Sequence, residues 1–219
     1  MGPFKDDIQS EEIFPGVFLI KNFLSEQECD FILETMSEPK EINEYNPKKI
    51  FAIDRSTLII DRLKEYVLDD LYVYESFTGT VLKKGGNHPI HLDNPYGYLD
   101  RDAHNSINPG EPVYKYKSHA WGTVVYLSNF EGGEIFYPNY MEYYSPKKGN
   151  LIVHTSEIDM PHGVLNAKDN NRFIHTTFFY RGLTVPVKYM EEGLAKESDI
   201  MQSKYGWPKW SIDEAILKD

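Results

Sequence analysis

From Leu71 onward the chain is written in short runs of β-branched and aromatic residues: LYVYESFTGTVL, HAWGTVVYLS, GGEIFYP, NLIVHTS and RFIHTTFFYRG. Gly, Pro, Asn and Lys separate them, which is turn chemistry between strands. The preceding third reads differently. FPGVFLIKNF opens with a short strand around Val17–Ile20. SEQECDFILETM (25–36) then reads as a helix, with Ser25 as N-cap, Glu28 at the capping-box position, and Cys29, Ile32, Leu33 and Met36 on one apolar face. A second amphipathic helix is expected near 56–68, where Ile59, Ile60, Leu63 and Val67 share a face. Helices first and many short strands afterwards predict a mainly β fold, a jelly roll or similar barrel with helices packed on one outer face.

No linker or repeat divides the chain, so one domain is expected over 1–219: helical support about 1–70, a jelly-roll core about 71–185 and a polar tail about 186–219. Ser211 and Glu214 form a second capping-box pattern, which predicts a closing helix at 211–218.

The formal charge of -11 speaks against a phosphate-backbone binder, so no nucleic-acid partner is expected. The single cysteine, Cys29, excludes an internal disulfide and a multi-cysteine metal cluster, and it reads as a buried structural thiol. That usage fits a reducing compartment, and a cytoplasmic location is expected. The N-terminal residues lack an apolar core and no run could span a bilayer, so no membrane partner is expected.

The chemistry concentrates in HPIHLDNPYG, residues 88–97. On a strand, residues i and i+2 point to the same side, so His91 and Asp93 would project together with Leu92 turned away. By itself this pair equally describes a surface histidine and a turn aspartate. A third ligand must come from elsewhere, and His162, at a strand start after Pro161, is the best placed. The turn signal KDNN follows, and Arg172 opens the next strand, so a hairpin would bring the arginine close to the His162 side. Two histidines and one carboxylate leave three positions of a metal open, which suits Fe(II) that must take a bidentate co-substrate and oxygen. A nearby guanidinium would grip a dicarboxylate's far end through two parallel hydrogen bonds. On the last strand His175 alternates away from Arg172 and should point out of the site. His154 fits either a core position or the pocket wall, and His88 reads as a loop residue. Gly132-Gly133 reads as a turn or bulge.

Taken in order, FPGVFLIKNFLSEQECDFI, HLD, VVYLSNFEGGEIFYP, KKGNLIVH, PHGV and NNRF resemble the prolyl 4-hydroxylase-like branch of the 2-oxoglutarate/Fe(II)-dependent dioxygenases, over roughly residues 14–182. The resemblance implies a double-stranded β-helix. It implies that His91, Asp93 and His162 hold iron, and that Arg172 binds the distal carboxylate of 2-oxoglutarate. By the same carry-over Tyr126 and Thr176 would touch the co-substrate, although each residue also suits a strand core. The implied activity is hydroxylation of a C–H bond with Fe(II), 2-oxoglutarate as co-substrate and O2, with ascorbate as an accessory reductant. A prolyl residue in a peptide or protein is the expected substrate, with a free amino acid or another small molecule as the alternative.

The chain departs from the pattern in places. Val81 stands where many relatives carry a tyrosine upstream of the first ligand histidine. Collagen-type relatives often have lysine where this chain has Arg172; that arginine and Asn94-Pro95 look more like the oxygen-sensing prolyl hydroxylases. The Arg-x5-Arg pair of nucleic-acid repair dioxygenases is absent, since the next arginine is Arg181. The segment 94–120 reads as a long loop over the metal, with Tyr96, Tyr98, Tyr114 and Tyr116 as substrate contacts or as surface residues. Two rivals use the same residues: a non-catalytic cupin-like metal- or sugar-binding barrel, and a zinc hydrolase, which would need a general-base glutamate that the sequence does not place.

Overall fold

The structure, a computed structural model, describes residues 2–42, 44, 46–93, 113–156 and 160–186. In chain order its elements are β1 (Glu11–Phe14), β2 (Val17–Ile20), α1 (Glu26–Leu33), β3 (Lys40–Glu41), β4 (Lys48–Ala52), α2 (Thr57–Tyr66), β5 (Tyr72–Val73) and β6 (Thr78–Leu82). These are followed by β7 (His88–His91), β8 (Val113–Tyr126), β9 (Ile135–Tyr137), β10 (Glu142–Tyr144), β11 (Leu151–Thr155), β12 (His162–Val164) and β13 (Arg172–Pro186).

Two antiparallel sheets face each other. The larger follows the order β1-β2-β11-β8-β13-β6-β4-β3, with β5 on β13; the smaller follows β10-β9-β12-β7. Most pairings join strands far apart in sequence, such as β2 with β11, β8 with β13 and β7 with β12, as in a double-stranded β-helix, so the expected jelly-roll core is present. Strand alternation divides the larger sheet into two faces. Outward residues Val125, Leu127, Leu151, Val153 and Phe179 pack against Cys29, Ile32, Ile59, Ile60 and Leu63 of the two helices. Inward residues Val124, Tyr126, Ile152 and Ile174 meet Ile135 and Tyr137 of the smaller sheet.

α1 begins as expected. The Ser25 hydroxyl accepts from the Glu28 N–H, and the Glu28 carboxylate accepts from the Ser25 N–H. It stops at Leu33, short of the expected 36, because Met36 is drawn into a bridge with Ile53. α2 lies within its expected bounds, but the Ser56 side chain makes no cap hydrogen bond.

Two expectations need correction. Residues 1–70 are more than helical support: β2, β3 and β4 are members of the larger sheet. β4 is half polar (KKIFA), so it carries no clear strand signal of its own and is fixed by pairing with β6. The segment 94–120 is not a loop throughout, since β8 begins at Val113 and pairs with β13 along its length. Tyr96, Tyr98, the tail 187–219 and the closing helix at 211–218 lie outside the described residues.

Candidate metal and co-substrate site

His91 ends β7 and His162 begins β12, and the two are register partners in the smaller sheet. Their rings are 4.4 Å apart at 55°. Asp93 follows β7 and turns its Oδ1 to within 3.5 Å of His91 Nε2 and 3.7 Å of His162 Nε2. The ligand atoms these three residues offer all lie within 4.8 Å of one another. The donors are also set for a metal. His91 Nδ1 faces the Pro89 carbonyl at 2.9 Å, and His162 Nδ1 faces that of Met160 at 3.3 Å. Each Nδ1–H therefore donates to a carbonyl, and each Nε2 lone pair is left for the shared point.

Burial opposes ionisation of Asp93, but His162, His154 and His91 around it prevail and hold its carboxyl well below the usual range. Burial, with His154 next to it, keeps His162 neutral by pushing its pKa well below the ordinary value. A neutral His162 imidazole beside an ionised Asp93 carboxylate gives the protonation states that metal ligation requires.

Arg172 opens β13 and is only 2% exposed. Its Nε donates to the Gly133 carbonyl at 2.8 Å, and its guanidinium carbon lies 5.5 Å from the Tyr126 ring centroid and 5.6 Å from that of Phe130. The Gly132-Gly133 turn makes this possible. Both residues have positive φ, 68° and 67°, and a Cβ on Gly133 would come within 2.7 Å of Arg172 Cδ. Among the described residues the guanidinium forms no ion pair, and the Tyr126 hydroxyl beside it is buried with no hydrogen-bond partner. A buried cation and an orphaned phenol are costly unless a ligand satisfies both, and a carboxylate does. Thr176 lies on the same inner face beyond Ile174, half-buried and paired with Val124. His175 turns outward as expected, with its Nε2 2.9 Å from the Ser76 carbonyl.

The structure adds residues that the sequence reading did not assign. His154, open to either reading above, points inward: its Nε2 is 3.1 Å from Asp93 Oδ2, and its Nδ1 is 3.4 Å from the Tyr137 hydroxyl. His88 is not a loop residue. The β7–β12 register pairs His91 with His162 but His88 with Val164, a bulge that turns both β7 histidines to one side, their rings 4.2 Å apart. Burial, then His91, lowers the His88 pKa to about 2. Lys48 pairs with Leu82, which in turn pairs with Arg172, so all three share the inner face. Burial, then Arg172, lowers the Lys48 pKa to about 8, and among the described residues its ammonium makes no hydrogen bond or ion pair.

A two-sheet antiparallel barrel with a two-histidine, one-aspartate cluster between its sheets is the architecture of the 2-oxoglutarate/Fe(II) oxygenases, and this chain has that fold. The viral collagen prolyl hydroxylase of Paramecium bursaria Chlorella virus-1, solved as its 2OG complex, matches with a TM-score of 0.54 and 18% identity, over 76% of this chain and 96% of that one. A 2OG-Fe(II) oxygenase-family oxidoreductase from Burkholderia pseudomallei matches with a TM-score of 0.50 and 12% identity, over 78% and 86%. At these identities the likeness is one of fold. No protein-family model and no curated relative matches the sequence.

Proposed function

We propose that this chain is an Fe(II)- and 2-oxoglutarate-dependent dioxygenase that hydroxylates a C–H bond, with a prolyl residue of a peptide or protein as its substrate. The observation that carries the reading is the pairing of the His91-Asp93-His162 cluster with a buried guanidinium and a buried phenol on the facing sheet, the first without an ion pair and the second without a hydrogen bond among the described residues. Bound there, Fe(II) with 2-oxoglutarate and O2 would supply the oxidising chemistry, and the protein supplies placement and shielding. His91 and His162 would hold the metal through Nε2, and Asp93 through one carboxylate oxygen. Arg172 Nε is committed to Gly133, so its terminal nitrogens remain to donate to the co-substrate's far carboxylate. The Tyr126 hydroxyl adds a third donor. The low-dielectric wall around them strengthens each of these contacts.

The prolyl substrate is supported by the fold likeness to a collagen prolyl hydroxylase and by the order of motifs along the chain. The test has two stages. Anaerobic titration should give a weak visible absorption band only when Fe(II) and 2-oxoglutarate are both present. A library of proline-containing peptides, followed by mass spectrometry, should then show a gain of one oxygen. Absence of the band would remove the dioxygenase reading.

One observation favours a second reading, a free amino acid or similar small acid. Lys48 lies on the same inner face, its ammonium making no hydrogen bond or ion pair among the described residues, and a substrate carboxylate would satisfy it. Hydroxylation of free amino acids, with no peptide modified, would select it.

A further inference from the structure

Behind the three metal-facing groups lies a row of buried polar residues. His154 is 1% exposed and sits on β11 with its ring 4.0 Å from that of His162. The Tyr137 hydroxyl lies 3.4 Å from His154 Nδ1. A phenol that donates to Nδ1 places the ring proton on Nε2, and Nε2 is 3.1 Å from Asp93 Oδ2. The two oxygens of Asp93 are thereby divided: Oδ2 accepts from His154, and Oδ1 faces His91 and His162. β8 makes room for this. Gly122 is the register partner of His154, and a Cβ there would collide with Asp93 Oδ2 and come within 2.6 Å of His154 Nε2.

We infer that His154, oriented by Tyr137, is a positioning residue that confines Asp93 to one-oxygen ligation and so keeps the remaining metal positions open. The inference rests on the metal reading proposed above. With Oδ2 released, the carboxylate could turn both oxygens to the metal and occupy a position needed by co-substrate or oxygen.

The test uses Co(II) alone as probe, on full-length protein, read by visible absorption. His154→Phe keeps a buried ring but removes the N–H; His154→Gln restores a donor near the place of Nε2. His154→Phe should weaken Co(II) binding about 10–100-fold and alter the band shape, as loss of an outer hydrogen bond to a metal ligand does. His154→Gln should recover most of both. If His154→Phe fails to fold, Tyr137→Phe carries the test, with an expected loss of roughly two- to tenfold. Unchanged affinity and spectrum in the variant that folds would overturn the inference, as would equal losses in His154→Phe and His154→Gln. Pulsed EPR of the Cu(II) form should count the same number of bound imidazoles in wild type and His154→Gln; one fewer would make His154 a ligand and overturn the positioning role. Wild-type protein that takes up no Co(II) would instead overturn the metal reading itself.

Discussion

The two faces of β8, β11 and β13 are built from different chemistry. Outward, Val125, Val153 and Phe179 are sealed under α1 and α2 in a layer of aliphatic and aromatic contacts. Inward, at alternate positions of the same strands, stand Tyr126, His154 and Arg172, all buried and all bearing polar groups. A period of two lets stability and chemistry be written in adjacent letters, with one layer of hydrogen-bonded backbone between them. Substitutions one position apart should therefore fail in different ways, and experiments can press on that separation.

The largest effect is expected from the inner ligands. His91→Ala, Asp93→Ala or His162→Ala should each abolish metal binding and 2-oxoglutarate turnover while the thermal melt stays near that of the wild-type apoprotein. Near-normal succinate release by His162→Ala would show that the third ligand is misassigned. On the outer face, Phe179→Ala should cost about 3–5 kcal/mol in denaturant unfolding, as truncation of a buried aromatic does, and leave Co(II) affinity of the folded protein unaltered. A coupled loss of affinity would break the proposed separation of faces. Arg172→Ala should weaken 2-oxoglutarate binding by on the order of 2–5 kcal/mol with metal binding retained. Arg172→Lys should be milder but measurable, because lysine cannot form the two-pronged contact. Tyr126→Phe should cost about 1 kcal/mol of co-substrate binding, one hydrogen bond's worth, by isothermal titration.

The smallest effect sits in the outer layer at Glu28. The Arg62 guanidinium, then the Ser25 N–H, lowers the Glu28 pKa from 4.5 to about 2. A depressed carboxyl stabilises the fold above its unfolded value, and the contribution fades as pH falls through the folded one. Glu28→Gln should therefore flatten the acid limb of a stability-versus-pH curve between about pH 4.5 and 2 while removing less than about 1 kcal/mol at neutrality. An unchanged acid limb would show that the pair contributes nothing.

Much of this was legible in local pattern. Ser25 and Glu28 announced the start of α1. His91 and Asp93, two apart, announced a shared direction, but the hairpin expected between the His162 and Arg172 strands does not form: β12 and β13 lie in different sheets, and the turn between them crosses from one to the other. The illegible part depends on long-range register. His154 gains its meaning from Gly122, and the two are far apart in sequence although they are partners across β8 and β11. Lys48 shares the inner face with Arg172 only because β4 joins the sheet beside β6, and nothing in KKIFA specifies that neighbour. His88 needed a bulge, and a bulge is visible only when two strands are seen together. Val113–Ala120 looked like loop because polar and aromatic residues mix there, yet pairing with β13 makes it strand.

The register pairing of His91 with His162 carries a mechanical consequence. The smaller sheet is made of strands of 3 or 4 residues each, too short to hold together strongly by backbone bonds alone. A metal gripped by both histidines would act as a rivet across β7 and β12, pinning the edge strand to its neighbour. By mass action, any ligand that binds only the folded chain adds stability, about 2.7 kcal/mol at one hundred times its dissociation constant. The barrel would then melt higher when loaded than when stripped, with the gain concentrated in the smaller sheet, where amide exchange at Ile90 and Gly163 would slow first.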